Sequence, residues 1–507
     1  MKKILAIIVM TLLVASALCI AVFAADPAVI RVTGLKEDGA VYTPENSNYA
    51  KFDEGWEAAV DYALDEDWLS EHDIVRVVID LFADWNAGNK GEFGKNNLTG
   101  FQHSTIFVPD NARITINMNG HAINRGLKTD KYNGEVICIG DAADVIINGG
   151  QSGDAPVMDG EATGTTKMGT ITGGNSCNGA GGIRIQEGAT VTLNNVILSK
   201  NRVEDAKGAA VAVDNGATFA MNGGAFLNNF VATTNGSLKT AEGTLFVSDS
   251  TAVLNKVAFR GNDCTATSQS EIYGVVVSMN GDAVATLNEC KVENNALAQS
   301  NKISVFYCDD NSCTLNLNNT EMRKNGSYIS YDEAYSVPRR TALFNSWGTV
   351  NINKGKIVEN SIGTLFLFIN TRNGAINVKD VEIGNNYHFL QVMDKTEYWQ
   401  KDMGNNVLNL ANCNIYGFTD VVDGDPSGYV KVNFIDCKFG NVRWGNGKRY
   451  CNFISTTYAS ASIMGEGSLP MIVALLSLVT SIASVAVCIA LYKKKENPVV
   501  VSAEDEE

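Results

Sequence analysis

The sequence has no C-x-x-C pair, only four histidines, and no basic stretch between its two apolar ends. Scattered cysteines without close pairs argue against a zinc framework and against a dense disulfide scaffold. His72, His103, His121 and His388 show no metal-ligand spacing to one another, and His121, behind Asn119-Gly120, reads as a turn or core residue. The lack of basic stretches argues against nucleic acid as a partner, because Lys and Arg neutralising phosphates dominate such affinity. Anionic polysaccharides are disfavoured for the same reason unless a metal ion bridges the charges. No Leu-Pro-x-Thr-Gly occurs, since Leu469-Pro470 is followed by Met471 and Ile472, so covalent attachment to a cell wall is not expected. A nucleophile elbow, a phosphate-binding glycine loop and a dinucleotide fingerprint are missing too.

What is present starts at the ends. Lys2 and Lys3 precede an apolar run from Ile4 to Val22, and Val22-Phe23-Ala24 supplies small residues for a signal peptidase. Residues 1–24 therefore read as a signal peptide cut after Ala24, with an uncleaved anchor as the other reading. Leu469 to Tyr492 carries no charge and is long enough to cross a bilayer core, which takes roughly 20 helical residues. Lys493, Lys494 and Lys495 follow, as expected on the cytoplasmic side, and residues 493–507 form a short acidic-ended tail. The expectation is a single-pass cell-membrane protein with its N-terminal ectodomain outside. The formal net charge is −16. The two signal lysines (+2) offset the tail (three lysines, five acids), so the roughly 440 residues between keep the whole of it.

A repeat organises that region. Six segments share the pattern apolar-Asn-x-x-x-apolar-x-x-Asn. Their first asparagines are Asn194, Asn222, Asn255, Asn288, Asn318 and Asn353; their second are Asn201, Asn229, Asn262, Asn295, Asn325 and Asn360. The two asparagines stand seven apart every time, while successive repeats start 28, 33, 33, 30 and 35 residues apart. Weaker copies follow at Val378 to Asn386, Leu410 to Phe418 and Phe434 to Asn441, and Met118 to Ile123 resembles an early one. Apolar stretches such as Ile183-Arg184-Ile185, Ala210 to Val213, Thr244 to Val247 and Ile303 to Phe306 precede the cores. Period-two alternation, β-branched residues and Gly/Asn punctuation indicate strands, and short strands without helical linkers close best as a parallel β-helix.

Both asparagine sets are expected to point inward at turns and to hydrogen-bond along the stack as ladders, with coils about 4.8 Å apart. A row of sugar-binding amides is the functional alternative. The slot two after the first Asn holds Val196, Gly224, Val257, Cys290, Thr320, Gly355, Val381, Cys413 and Cys437. Small, mostly apolar residues there predict an inward stack in which cysteine behaves as a small hydrophobe. Residues 25–110 read as an N-terminal cap and first coil: a helix with apolar positions at 56, 59, 60, 63 and 64 and Asp53 as N-cap, then a strand from Ile74 to Phe82. Residues 111–449 are the repeats, 450–468 a flexible linker and 469–492 the membrane helix.

From Ile114-Thr115-Ile116-Asn117 to about Asn441 the chain resembles right-handed parallel β-helix proteins of the pectin-lyase-like superfamily. It also resembles adhesin-like surface proteins of Gram-positive gut bacteria. Their usual opening resembles the stretch from Trp56 through Val78-Ile79-Asp80-Leu81 and Asp84-Trp85 to Asn119-Gly120-His121-Ala122-Ile123-Asn124-Arg125. The resemblance implies an all-β right-handed solenoid with an N-terminal capping helix. It implies little about activity, since the fold hosts lyases, hydrolases, epimerases, adhesins and inert stalks.

The polygalacturonase-like set of Asn-Thr-Asp, Asp-Asp, Gly-His-Gly and Arg-x-Lys is missing apart from an Asp-Asp. Asp309-Asp310 is the best adjacent carboxylate pair and reads as a solvated loop between Cys308 and Cys313. Tyr387, His388, Tyr398 and Trp399 are candidate ligand contacts, as an aromatic loop able to stack sugar rings or simply to pack on the solenoid. Asp423 and Asp425 lie in an oxygen-rich turn that could hold calcium, although no cofactor is required. Arg339-Arg340 could serve a lyase. The first functional expectation is a non-enzymatic, membrane-anchored β-helix whose loops bind a glycan or a surface protein. A membrane-tethered polysaccharide lyase or hydrolase is the second, and a structural envelope protein the third.

Overall fold

The computed structural model describes residues 28–87, 101–102, 105–150, 168–234, 240–265, 271–296, 303–326, 341–367, 373–386, 388–391, 406–418, 420–423 and 430–458. Up to Thr457 these belong to one compact unit. Its architecture is an all-β solenoid of stacked parallel strands. Ile74–Leu81 pairs with Arg113–Asn117, then come Asp144–Asn148, Thr190–Ser199, Thr218–Leu227 and Thr251–Asn255. The series continues through Val284–Asn288, Thr314–Arg323, Thr349–Val358, Ala375–Lys379, Asn406–Ala411 and Val430–Ile435 to Cys451–Ile454. This is the main sheet. A second sheet of 12 strands takes parallel strands from successive coils, among them Ile183–Ile185, Val211–Val213, Leu245–Ser248 and Ser304–Cys308, and ends on the antiparallel strand Phe101–Gln102. A 4-stranded and a 2-stranded sheet fill the corner between them.

Alternation explains the strands. In Thr190–Ser199, Val191, Leu193, Val196 and Leu198 are fully buried while Thr190 is exposed. Because every coil is in register with the next, like residues stack on like. Phe226 lies 4.5 Å from Phe259, and Phe344 sits between Phe306 at 5.0 Å and Phe366 at 5.8 Å, all stacked. Such offset pairs contribute about 0.5–1.5 kcal/mol beyond area burial.

The ends are closed by different means. At the N-terminal end, Ile30–Lys36 runs antiparallel along Ile74–Leu81, so the first parallel strand has no bare edge. The short strands Val41–Tyr42 and Asn48–Tyr49 fold back onto it. A helix, Phe52–Leu64, lays Phe52, Trp56, Ala59 and Val60 into the same core as Ile30, Val32, Val77 and Ile79. Gly55 lets the helix approach: a Cβ there would stand 2.2 Å from Ile30 Cγ2. Asp53 is not the N-cap. Lys51 occupies that position without a side-chain cap bond, and Asp53 and Glu54 sit in the first turn, where carboxylates favour the positive end of the helix dipole.

At the other end the solenoid runs beyond residue 449. Cys451–Ile454 pairs with Val430–Ile435, so residues 451–454 form a last coil rather than tether. Four residues carry too little alternation to stand out beside a Ser/Thr-rich stretch. Trp444 closes this end edge-on to Phe434, Phe439 and Phe453, at 5.9, 5.0 and 5.2 Å between ring centroids. Among the described residues no helix is long and apolar enough to cross a membrane; residues 1–24 and 469–492 lie outside them.

Candidate functional site

The two asparagine sets lie on opposite sides of the coil wall. The second set is inward and buried: Asn201, Asn229, Asn262, Asn295 and Asn325 are 0% exposed. Asn262 is typical. Its Nδ2 donates to Phe226 O at 2.9 Å and to Asn295 Oδ1 at 2.9 Å, and its backbone N–H donates to the same Oδ1 at 3.0 Å. Its own Oδ1 accepts from Asn229 in the same way, and the row continues through Asn360 to Asn386. Only a side-chain amide offers two donors and an acceptor at this reach, so these residues replace strand pairing where the backbone turns.

The first set also forms a ladder, but on the outer surface, which corrects the inward expectation. Asn222 Nδ2 donates to Asn194 Oδ1 at 3.0 Å, Asn255 to Asn222 at 2.9 Å, Asn288 to Asn255 at 2.9 Å and Asn318 to Asn288 at 2.9 Å. The row begins at Asp80, which accepts from Asn117, and ends at Asn353. Here each later coil donates to the earlier one, opposite to the buried row. A third ladder, not foreseen, takes over two residues upstream: Asn316, Asn351, Asn377, Asn409, Asn433 and Asn452. Its signal was available as Asn two positions before the expected slot in each weaker copy.

Two left-handed residues per coil cause this arrangement. The residue after the first Asn has positive φ in Asn195, Lys256, Glu289, Asn319 and Lys354, and so does the residue before the second Asn in Lys200, Asn228, Asn294, Lys324 and Glu359. Each one bends the chain and resets which side the next residue faces. The slot two after the first Asn is thereby turned inward, where Val196, Thr320, Cys290, Cys413 and Cys437 are at most 1% exposed. Outside, charges alternate from coil to coil: Glu293 lies 3.9 Å from Arg260 and 3.3 Å from Arg323, and Lys356 lies 3.0 Å from Glu382.

In the six full repeats, Asn194 to Asn360, length variation concentrates at one corner. From the end of a second-sheet strand to the first Asn the coils spend six residues (Ser346 to Asn353) to nine (Cys308 to Asn318). From the second Asn to the next second-sheet strand they spend three (Asn360 to Thr364) to sixteen (Asn325 to Ala342). Beside that corner, Thr240–Glu242 and Glu271–Tyr273 pair with each other, with Ala241 and Ile272 in the core, while Glu242 and Tyr273 reach Ser278 and Tyr307 of the second sheet. A polar cluster has formed there. Glu242, 4% exposed, accepts from Ser278 Oγ at 2.9 Å and meets Lys207 Nζ at 3.0 Å. Lys207 lies 4.6 Å over the Phe246 ring. Tyr307 OH donates to Asp309 Oδ1 at 2.5 Å, and the Tyr307 ring stacks on half-buried Tyr273 at 4.4 Å.

Asp309 is thus half-buried rather than solvated, while Asp310 beside it is exposed and bonds Ser312. Burial pushes the Asp309 carboxyl above its usual range and the Glu242 charge adds to this, against the opposing Tyr307 hydrogen bond and Lys207. The cluster offers an aromatic ring, a hydroxyl, an ammonium and two carboxyl groups along one face. Such a set can stack a sugar ring and hydrogen-bond its hydroxyls.

Of the residues singled out from sequence, Tyr387, Tyr398, Trp399, Asp425, Arg339 and Arg340 lie outside the described residues. His388 opens the second-sheet strand His388–Gln391, where its backbone pairs with Asp420; Asp423 ends the neighbouring strand, opposite Gln391. The two therefore stand at opposite ends of adjacent strands. His121 is a surface turn residue whose Nδ1 lies 3.2 Å from Asp84. Among the described residues no group of three or more His, Cys, Asp or Glu is arranged to hold a metal ion. Lys207, Glu242, Ser278 and Tyr273 were not legible as a set, because they come from separate coils with no common spacing. Comparison with protein-family models, curated proteins and solved structures finds no match.

Proposed function

We propose that this chain is a single-pass cell-surface protein whose solenoid, right-handed as in the pectin-lyase-like proteins it resembles, presents one corner as a binding edge for a glycan or a surface protein. The observation that carries the reading is that in the six full repeats length variation concentrates at that corner, while the remaining segments of those coils vary little. Variable loops on a rigid scaffold are where binding residues concentrate. The cluster around Tyr273, Tyr307 and Lys207 adjoins that corner and supplies stacking and hydrogen-bonding groups. Membrane attachment rests on the uncharged run Leu469 to Tyr492 and its triple-lysine stop. A signal peptide over residues 1–24 would place the acidic solenoid outside.

Asp309 and Glu242 favour a second reading, a membrane-tethered polysaccharide lyase or hydrolase. Two carboxyl groups in one cluster, one of them raised above its usual range by burial, are the ingredients of acid–base cleavage. One experiment separates the readings. Full-length protein in detergent is offered acidic and neutral polysaccharides with and without calcium, and retention and release of reducing or unsaturated ends are followed together. Retention without cleavage, weakened at least tenfold by Tyr273→Ala, supports the binding edge. Product release abolished by Asp309→Asn replaces it with the enzyme. Neither outcome, with an intact fold, leaves a structural envelope role.

A further inference from the structure

Cys413 and Cys437 occupy adjacent floors of the inward slot. Asn414 pairs with Lys438 and Ala411 with Ile435, and Lys438 N–H donates to Cys413 O at 2.9 Å, so the two cysteines face each other across neighbouring coils. They are 1% and 0% exposed. Parallel strands lie about 4.8 Å apart, inside the Cα separation of roughly 4.4–6.8 Å that a disulfide requires. Each sulfur rests against carbonyl oxygens of its own and the preceding coil, Cys413 Sγ at 3.4 Å from Ala411 O and Cys437 Sγ at 3.4 Å from Leu410 O.

We infer that Cys413 and Cys437 are an oxidisable pair that closes a disulfide between adjacent coils when the protein meets a low-molecular-weight disulfide. The Cys437 thiolate attacks the small disulfide, giving a mixed disulfide and releasing one small thiolate. The Cys413 thiolate then attacks the Cys437 sulfur and releases the second. The two cysteine protons end on the two small thiols, and one disulfide is reduced as one forms. The assignment of roles follows from their shared hydrogen bond, which holds the Cys437 thiol below its ordinary value and pushes Cys413 up. Burial instead pushes Cys290 and Cys451 up to about 12. Cys308 and Cys313, the other close pair, are turned to separate partners: Cys313 Sγ bonds Gly281 O at 3.3 Å, and Cys308 has Ser346. The buried pair becomes reachable when the last coils open, since end repeats of a solenoid have neighbours on one side only.

The test uses the full-length chain in detergent, reduced and then equilibrated across glutathione redox ratios, with free thiols alkylated before peptide mapping. The expected result is a disulfide joining the tryptic peptides Asp402–Lys431 and Val432–Lys438, reversed by dithiothreitol, with the remaining cysteines still alkylated. Cys413→Ser should leave Cys437 carrying glutathione, whereas Cys437→Ser should leave Cys413 free at the same ratio. Full alkylation of both cysteines in the wild-type chain at the most oxidising ratio would overturn the inference. So would pairing of either one with a different cysteine.

Discussion

The buried and the surface asparagine rows use the same residue, at the same count of one per coil, for different physical ends. Asn262 in the buried row satisfies two backbone groups of the preceding coil, Phe226 O and Asn229 N–H, as well as its side-chain neighbours. Asn255 in the surface row bonds other side-chain amides and leaves its backbone to ordinary strand pairing. A ladder whose loss orphans buried backbone is part of the fold; one whose loss is repaired by water is trim. The difference lies in what the amide replaces, not in the number of bonds it makes.

That contrast can be broken by measurement, preferably by hydrogen exchange, because solenoid unfolding need not be two-state. Asn262→Ala strands a buried carbonyl on Phe226 and donors on Asn229, and should cost about 3 kcal/mol of local stability at about 1–3 kcal/mol for each unsatisfied group. Exchange should accelerate in the coils on both sides. Asn255→Ala removes two partly exposed side-chain bonds and should cost only about 0.5–1 kcal/mol. Equal costs for the two would dissolve the distinction. Lys256→Gly addresses the bend between the rows. Lys256 has φ +56° and its contact with Glu289 is a 4.0 Å surface pair of little worth, so relief of left-handed strain should leave a net gain of about 0.5 kcal/mol.

The smallest effect concerns pH. The folded Asp309 carboxyl is raised, so the folded state holds a proton that the unfolded chain releases. Stability from this group is complete below the ordinary carboxyl value of about 4 and is lost as pH rises through the raised folded value. Asp309→Asn should flatten that part of the stability profile, read as melting temperature against pH from about 4 upward. An unchanged slope would place Asp309 in ordinary solvent, as the turn sequence around it had suggested.

Much of the fold was open to inspection beforehand. The seven-residue asparagine spacing located the coils, and the apolar stretches located second-sheet strands such as Ile183–Ile185 and Val211–Val213. The apolar spacing in 52–64 located the helix, though not its cap. The antiparallel strand Ile30–Lys36 was missed, since its partner lies about 45 residues away and no local signal names it. The cluster of Lys207, Glu242, Ser278, Tyr307 and Asp309 was missed for the same reason, apart from Asp309, which looked like a loop residue.

By itself the sequence determined the period, the strand class and the residues that must stack, because register in a solenoid is written in repeated spacing. Only the tertiary structure decided which side each asparagine faces. Strict alternation assigns sides only while the backbone stays extended, and left-handed residues at two fixed slots of each full repeat, filled in one of them by residues as different as Lys256, Glu289 and Asn319, reset that alternation. Their conformation is imposed by coil closure against the neighbouring coils, a condition that no single repeat contains.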